Sequence, residues 1–122
     1  LTAGCPFKAR IVALILSKKP EKALIELSSH YRAQTPNIKI GMPKGQTKRR
    51  GCYSASDRTI YLSHRDALYN PYILLHEFYH HLRSQGEKHR GTEKLANKFA
   101  REYLIEYQEA VEHMSEECSP QL

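Results

Sequence analysis

Apolar positions recur at two different periods along this chain, and each change of period marks a change of structure. Phe7, Ile11, Leu14 and Ile15 return every three or four residues, the spacing that lines up one face of an α-helix over residues 6–17. Pro6 suits the first turn, where its missing N–H costs nothing. A second helix is expected from Pro20, with Leu24, Leu27 and Tyr31 on one face and Pro36 closing the segment. The period then shortens. Asn37-Ile38-Lys39-Ile40 alternates as a short strand does, and "GMPKGQTKRRG" follows with no periodicity. "GCYSA" and "TIYLS" flank Ser56-Asp57-Arg58, a tight-turn signal between two β-rich runs. Residues 37–63 are therefore read as a small antiparallel meander of about three strands.

Helical spacing returns after that. Asn70-Pro71 is a cap and first-turn pair and Gly86 a stop, which predicts a helix over about 71–84. Beyond the connector "GEKHRG", Thr92 is placed to cap a last helix in which Leu95, Phe99, Tyr103, Tyr107 and Val111 recur every four residues. The polar residues 115–122 are expected to fray. The pattern implies one α+β domain over 1–122: a helical N-terminal segment (1–36), a small sheet (37–63), a second helical segment (64–114) and the tail.

Composition narrows the class. With 122 residues and 40% hydrophobic content, the chain can bury a core without staples. No window approaches the roughly 18 apolar residues of a membrane span, so no membrane partner is expected. Cys5, Cys52 and Cys118 lie far apart in no CxxC pattern, which favours a reducing cytoplasm over a disulfide framework. The net charge of +6 is concentrated in "KGQTKRRG", residues 44–51. The simplest reading of loop 44–50 is a solvated one. Phosphate contacts by Lys44, Lys48, Arg49 and Arg50 would make it a nucleic-acid surface, and an acidic protein segment is a third partner of matching charge.

The chemistry lies in "HEFYHH", residues 76–81, a full H-E-x-x-H match inside the expected helix. Residues four apart stand one above the other on a helix, so His76 and His80 can offer two imidazole nitrogens to one metal ion. Glu77 sits beside the first of them, where it can reach a metal-bound water as general base without ligating the metal. That division of labour belongs to zinc peptidases. A catalytic zinc takes three protein ligands and a water. Two residues downstream are candidates for the third: His89 in the connector, and Glu93 in the first turn of the last helix. Glu93 has the more rigid platform, since an antiparallel helix after a short connector brings its first turn toward the metal. His81 points about 100° away around the helix and is expected beside the site or at the surface. Asn97 lies one turn beyond Glu93, where it could orient a ligand histidine. Tyr61, Tyr72, Tyr103 and His113 are all open as donors to a developing oxyanion.

The pairing of H-E-F-Y-H-H-L (76–82) with E-K-L-A-N-K-F-A-R-E-Y-L (93–104) resembles the ImmA/IrrE-type metallopeptidases, whose second motif reads E-x-x-A-N-x-F-A. The resemblance covers about residues 50–105. It implies a gluzincin-like α+β peptidase with one Zn2+ per chain, held by His76, His80 and Glu93. Some members cleave helix-turn-helix repressors, so it also implies a protein substrate, with a transcriptional repressor as one class. The strand Thr59 to Ser63 would then be an edge accepting an extended substrate, with Thr59, Ile60 and Tyr61 as substrate-binding residues. Many members carry glycine where this chain has Tyr79, so packing around the second ligand is expected to differ. Two other classes compete: an SprT-like protease acting near DNA with His89 as third ligand, and a DNA- or protein-binding module with structural zinc.

Overall fold

The computed structural model describes residues 6–84 and 92–117. Gly86, His89 and the side chain of Thr92 lie outside the described residues, so the stop, the alternative ligand and the cap assigned to them do too. Helix α1 (Phe7–Leu16) begins directly after Pro6, and α2 (Pro20–Tyr31) begins on a proline in its first turn. Between them Lys18 takes a left-handed conformation, φ 65°, which turns the chain in three residues. Strands β1 (Asn37–Ile40), β2 (Gly51–Ser54) and β3 (Thr59–Leu62) follow. A short 3-10 turn, Arg65–Tyr69, leads into α3 (Pro71–Ser84), and α4 (Thr92–Glu117) ends the described chain. Asn70 caps α3 as expected: its side-chain oxygen accepts the Ile73 N–H at 3.2 Å, and its carbonyl accepts the Leu74 N–H at 3.1 Å. Helix α4 runs to Glu117, into the segment expected to fray.

The α+β architecture holds, but the sheet is mixed rather than an antiparallel meander. Its strand order is β1-β3-β2. β2 and β3 form the expected hairpin, antiparallel, with Cys52 opposite Tyr61. β1 lies on the far side of β3 and runs parallel to it, with Ile38 opposite Ile60. Four-residue strands with similar alternation carry no signal for which neighbour they choose. The long connection 41–50 frees β1 from pairing with β2. A consequence follows for the substrate strand. β3 is central, both of its edges are hydrogen-bonded, and Thr59 and Ile60 are buried, so the edge role assigned to Thr59, Ile60 and Tyr61 is not available. Tyr61 instead donates its hydroxyl to Asp57 Oδ2 at 2.6 Å across the hairpin turn.

The core lies between the helices and one face of the sheet. Ile11, Val12 and Ile15 of α1, Leu24 and Leu27 of α2, Ile60 and Leu62 of β3, Leu74, Leu75 and Phe78 of α3, and Ala100 and Tyr103 of α4 form one buried cluster. Each large member contributes about 1.5–3 kcal/mol by leaving water. On α4 the four-residue repeat overestimates the buried face. Steps of four overshoot a turn by about 40°, so five such residues cannot share one side. Tyr103 is buried and Phe99 and Tyr107 pack against the core, whereas Leu95 and Val111 at the ends of the series are exposed. Ala96 and Ala100 complete the inner face, and their small size lets α3 and α4 pack closely. Among the described residues no helix is long and apolar enough to cross a membrane.

Candidate metal centre

Helix α3 faces two environments at once. Leu74, Leu75 and Phe78 turn into the core, while His76 and Glu77, also buried, line the cavities on the neighbouring side. The i, i+4 relation brings His76 Nε2 and His80 Nε2 to 3.2 Å from each other. Packing of α4 on α3 delivers the third group. Glu93 Oε2 lies 3.2 Å from His76 Nε2, and its Oε1 lies 2.7 Å from His80 Nε2. Donor atoms of all three residues fall within 4.8 Å of one another, so His76, His80 and Glu93 can hold a metal ion. Their chemistry and spacing fit one. For an ion bound at about 2.0–2.1 Å, the edges of a tetrahedron of ligands are about 3.3–3.4 Å. The two separations from His76, 3.2 Å each, are close to this, and the 2.7 Å contact of His80 with Glu93 is a hydrogen bond that an ion would replace.

Glu77 is the buried acid beside this triangle. Its Oε1 has no hydrogen-bond partner, and it lines the same cavity as His80 and Glu93. Burial pushes its carboxyl up to about 7, opposed by the Arg49 guanidinium and reinforced by the Glu93 carboxylate. Burial likewise holds His80 below the usual imidazole range, with Glu93 pulling the other way. Both shifts favour neutral side chains when no cation is present. An imidazole kept neutral retains the lone pair that ligation requires.

The centre opens on a cavity of about 510 Å3 walled by the loop after β1 (Pro43, Lys44, Gln46 and Arg49) and by β2 and its turn, Cys52 to Ala55. β2 is an outer strand of the sheet, so the edge beside the centre belongs to β2 and not to β3. A second cavity of about 290 Å3 adjoins His76 and Glu77 and is framed by Arg49, Arg50, Tyr72, Ile73 and Asn97. The basic loop is solvated as expected, with Lys44, Arg49 and Arg50 exposed, and the same three residues line the site. Charge composition had located it, but its position depended on the strand order.

The remaining residues singled out in the sequence sort clearly. Asn97 stands beside the centre, yet its Oδ1 accepts the Tyr72 hydroxyl at 2.7 Å rather than meeting a histidine nitrogen. Of the four proposed oxyanion donors, Tyr72 alone lines a cavity shared with the centre; Tyr103 is buried against Tyr31, their hydroxyls 2.5 Å apart. Tyr79, the bulky residue before the second ligand, packs its ring against Phe99 of α4 at 5.3 Å. His81 is the larger correction. It is fully buried, and its ring nitrogens bond to groups outside the metal triangle. Its Nε2 lies 2.6 Å from the Gln34 carbonyl and its Nδ1 2.8 Å from the Tyr53 hydroxyl. A carbonyl can only accept, so Nε2 carries the proton and Nδ1 accepts from Tyr53. His81 thus ties α3 to β2 and to the segment before β1, fixing the platform on which His80 stands. No signal in "HHL" distinguishes this role from an exposed one. No family model, curated protein or solved structure matches this chain.

Proposed function

We propose that the chain is a zinc-dependent metallopeptidase that hydrolyses peptide bonds of a protein substrate. The observation carrying the reading is the convergence of His76 Nε2, His80 Nε2 and the Glu93 carboxylate where two cavities meet, beside the buried, unpartnered Oε1 of Glu77. Two imidazoles and a carboxylate form a donor set that suits zinc and leaves a position open. Bound there, zinc supplies Lewis-acid chemistry, lowering the pKa of water and polarising a carbonyl. The chain's own residues supply the remainder. Glu77 takes a proton from the attacking water on its carboxylate and passes it to the leaving amine; its buried Oε1, with no partner in the protein, is placed for that transfer. β2 offers its outer edge to an extended polypeptide, taking the role first assigned to β3. The resemblance of residues 76–82 and 93–104 to ImmA/IrrE-type peptidases supports the same reading. It adds a helix-turn-helix repressor as a substrate class and a cytoplasmic setting, consistent with three sparse cysteines.

The test is metal content and cleavage measured together. Wild-type protein should bind about one zinc per chain, and Glu93→Ala should lose it. Glu77→Gln should keep the zinc and lose about 10²–10⁴-fold in cleavage rate. Zinc retained by Glu93→Ala and lost by His89→Ala would transfer the ligand role to His89. Zinc-loaded wild-type protein that cleaves nothing in a complex protein mixture would leave the structural-zinc module as the surviving reading.

A further inference from the structure

The two cavities meet at Glu77 and Arg49, which line both. Among the described residues, the carboxylates in their walls are Glu77 and Glu93, both committed to the centre. The cations are Lys44 in the larger cavity, Arg50 in the smaller and Arg49 in both. Any polypeptide crossing the centre therefore passes a wall whose uncommitted charge is positive.

This wall is held in place. The end of β1 and the start of β2 are separated by two strand spacings, roughly 10 Å. The ten residues 41–50 could span roughly 33 Å if extended. The surplus is folded against the cleft by successive turns: Gln46 N–H bonds to the Pro43 carbonyl at 3.0 Å, and Arg49 N–H to the Gln46 carbonyl at 3.1 Å. The Arg50 carbonyl then accepts the Ser63 N–H at 2.9 Å, anchoring the arginine pair to the sheet. Arg49 Nη2 stands 3.9 Å from Glu93 Oε1, too far for a hydrogen bond, so its donors remain open to a ligand. Tyr72 and Asn97 add neutral polar groups in the smaller cavity.

Guanidinium forks match carboxylates in charge and geometry. The cations also flank an outer strand, whose outer edge pairs with no other strand among the described residues; such an edge suits an extended polypeptide and has no counterpart in nucleic-acid recognition. We propose that Lys44, Arg49 and Arg50 select polypeptide segments bearing acidic side chains beside the bond that is cut. This inference rests on the peptidase reading of the centre.

The experiment has two arms. In the first, zinc-loaded protein digests a proteome-derived peptide mixture and the cut sites are identified by mass spectrometry. Asp and Glu should be enriched near the cut by about fivefold, the size expected of partly exposed charge pairs. The Lys44→Glu/Arg50→Glu variant, with zinc content checked, should lose that enrichment and favour Lys and Arg instead. Cut sites with no acidic bias, or a bias unchanged in the variant, overturn the proposal. In the second arm, zinc-loaded Glu77→Gln protein is titrated with a fluorescent Glu-rich peptide, its Gln-for-Glu counterpart and a single-stranded DNA of similar length. The Glu peptide should bind at least about fivefold tighter than the Gln peptide, and should weaken between about 50 and about 300 mM salt. Equal binding of the two peptides, or tighter binding of the DNA, overturns it. Should no peptide be cut at all, the peptidase reading fails, and this second arm still decides whether the wall recognises acidic chains.

Discussion

Glu77 gives the most direct measure of what the centre costs the fold when no metal is bound. Its ordinary carboxyl value of 4.5 applies to the unfolded chain, and burial raises it to about 7 in the folded one. Between these values the folded protein holds a proton that the unfolded chain has released. Stability contributed by the protonated acid is full below 4.5 and is lost as pH rises toward 7 and above. At about 1.4 kcal/mol per pH unit, ionisation at pH 8 costs the metal-free protein about 3 kcal/mol, against about 1 kcal/mol at pH 5. Glu77→Gln preserves the volume and removes the titration. The difference in unfolding free energy between variant and wild type should therefore grow by about 2.5 kcal/mol, in favour of the variant, from pH 5 to pH 8. Urea unfolding in the presence of a chelator measures it as a relative midpoint shift of about 1–2 M. A difference that is flat with pH would refute the claim that Glu77 is a desolvated acid.

Other perturbations separate the platform from the chemistry. His81→Phe keeps the ring but leaves the Gln34 carbonyl and one face of the Tyr53 hydroxyl without their partner; it should cost about 2–3 kcal/mol in urea unfolding while zinc stoichiometry stays near one. A Cβ at Gly51 would lie 3.0 Å from Ile73 Cγ2, 3.3 Å from Leu62 Cδ2 and 3.4 Å from Glu77 Cγ. Gly51→Val should therefore destabilise by about 1–3 kcal/mol in urea unfolding, because the Ile73 and Leu62 side chains must give way. Tyr31→Phe should cost more than Tyr103→Phe in the same assay, since it strands the hydroxyl of the fully buried Tyr103, whereas Tyr31 keeps access to water.

Local signals carried far in this chain. Helical periodicity and the punctuating prolines placed α1 and α3 to within a residue and the start of α2 at Pro20, though α2 ends at Tyr31, short of the Pro36 expected to close it. Asn70 was recognisable as a cap because its role depends only on its own turn. His76 and His80 were legible for the same reason, as four residues on a helix determine their juxtaposition. Glu93 needed one assumption beyond local structure, that α4 returns along α3, and the packing of the two helices satisfies it. The edge role of Thr59, the surface alternative for His81 and the position of the solvated basic loop beside the centre were beyond local signals. Each depends on which strand lies beside which. The partners of His81 are 28 and 47 residues away in sequence, and no periodicity reports on contacts of that separation.

The sequence alone therefore determined the helices, the Asn70 cap of α3, and the residue types able to ligate a metal, because each follows from interactions within a turn or two of backbone. Tertiary structure decided the rest. The parallel placement of β1 made β3 central and left β2 as the outer strand beside the centre. It left more chain between β1 and β2 than the gap required, and the surplus put Lys44, Arg49 and Arg50 in the cleft wall. It also closed a pocket around His81, turning a residue with no evident task into the tie between the metal-bearing helix and the sheet. Strand order results from competition among pairings of nearly equal local energy, settled by burial of the whole core, and short alternating strands carry too little information to record it.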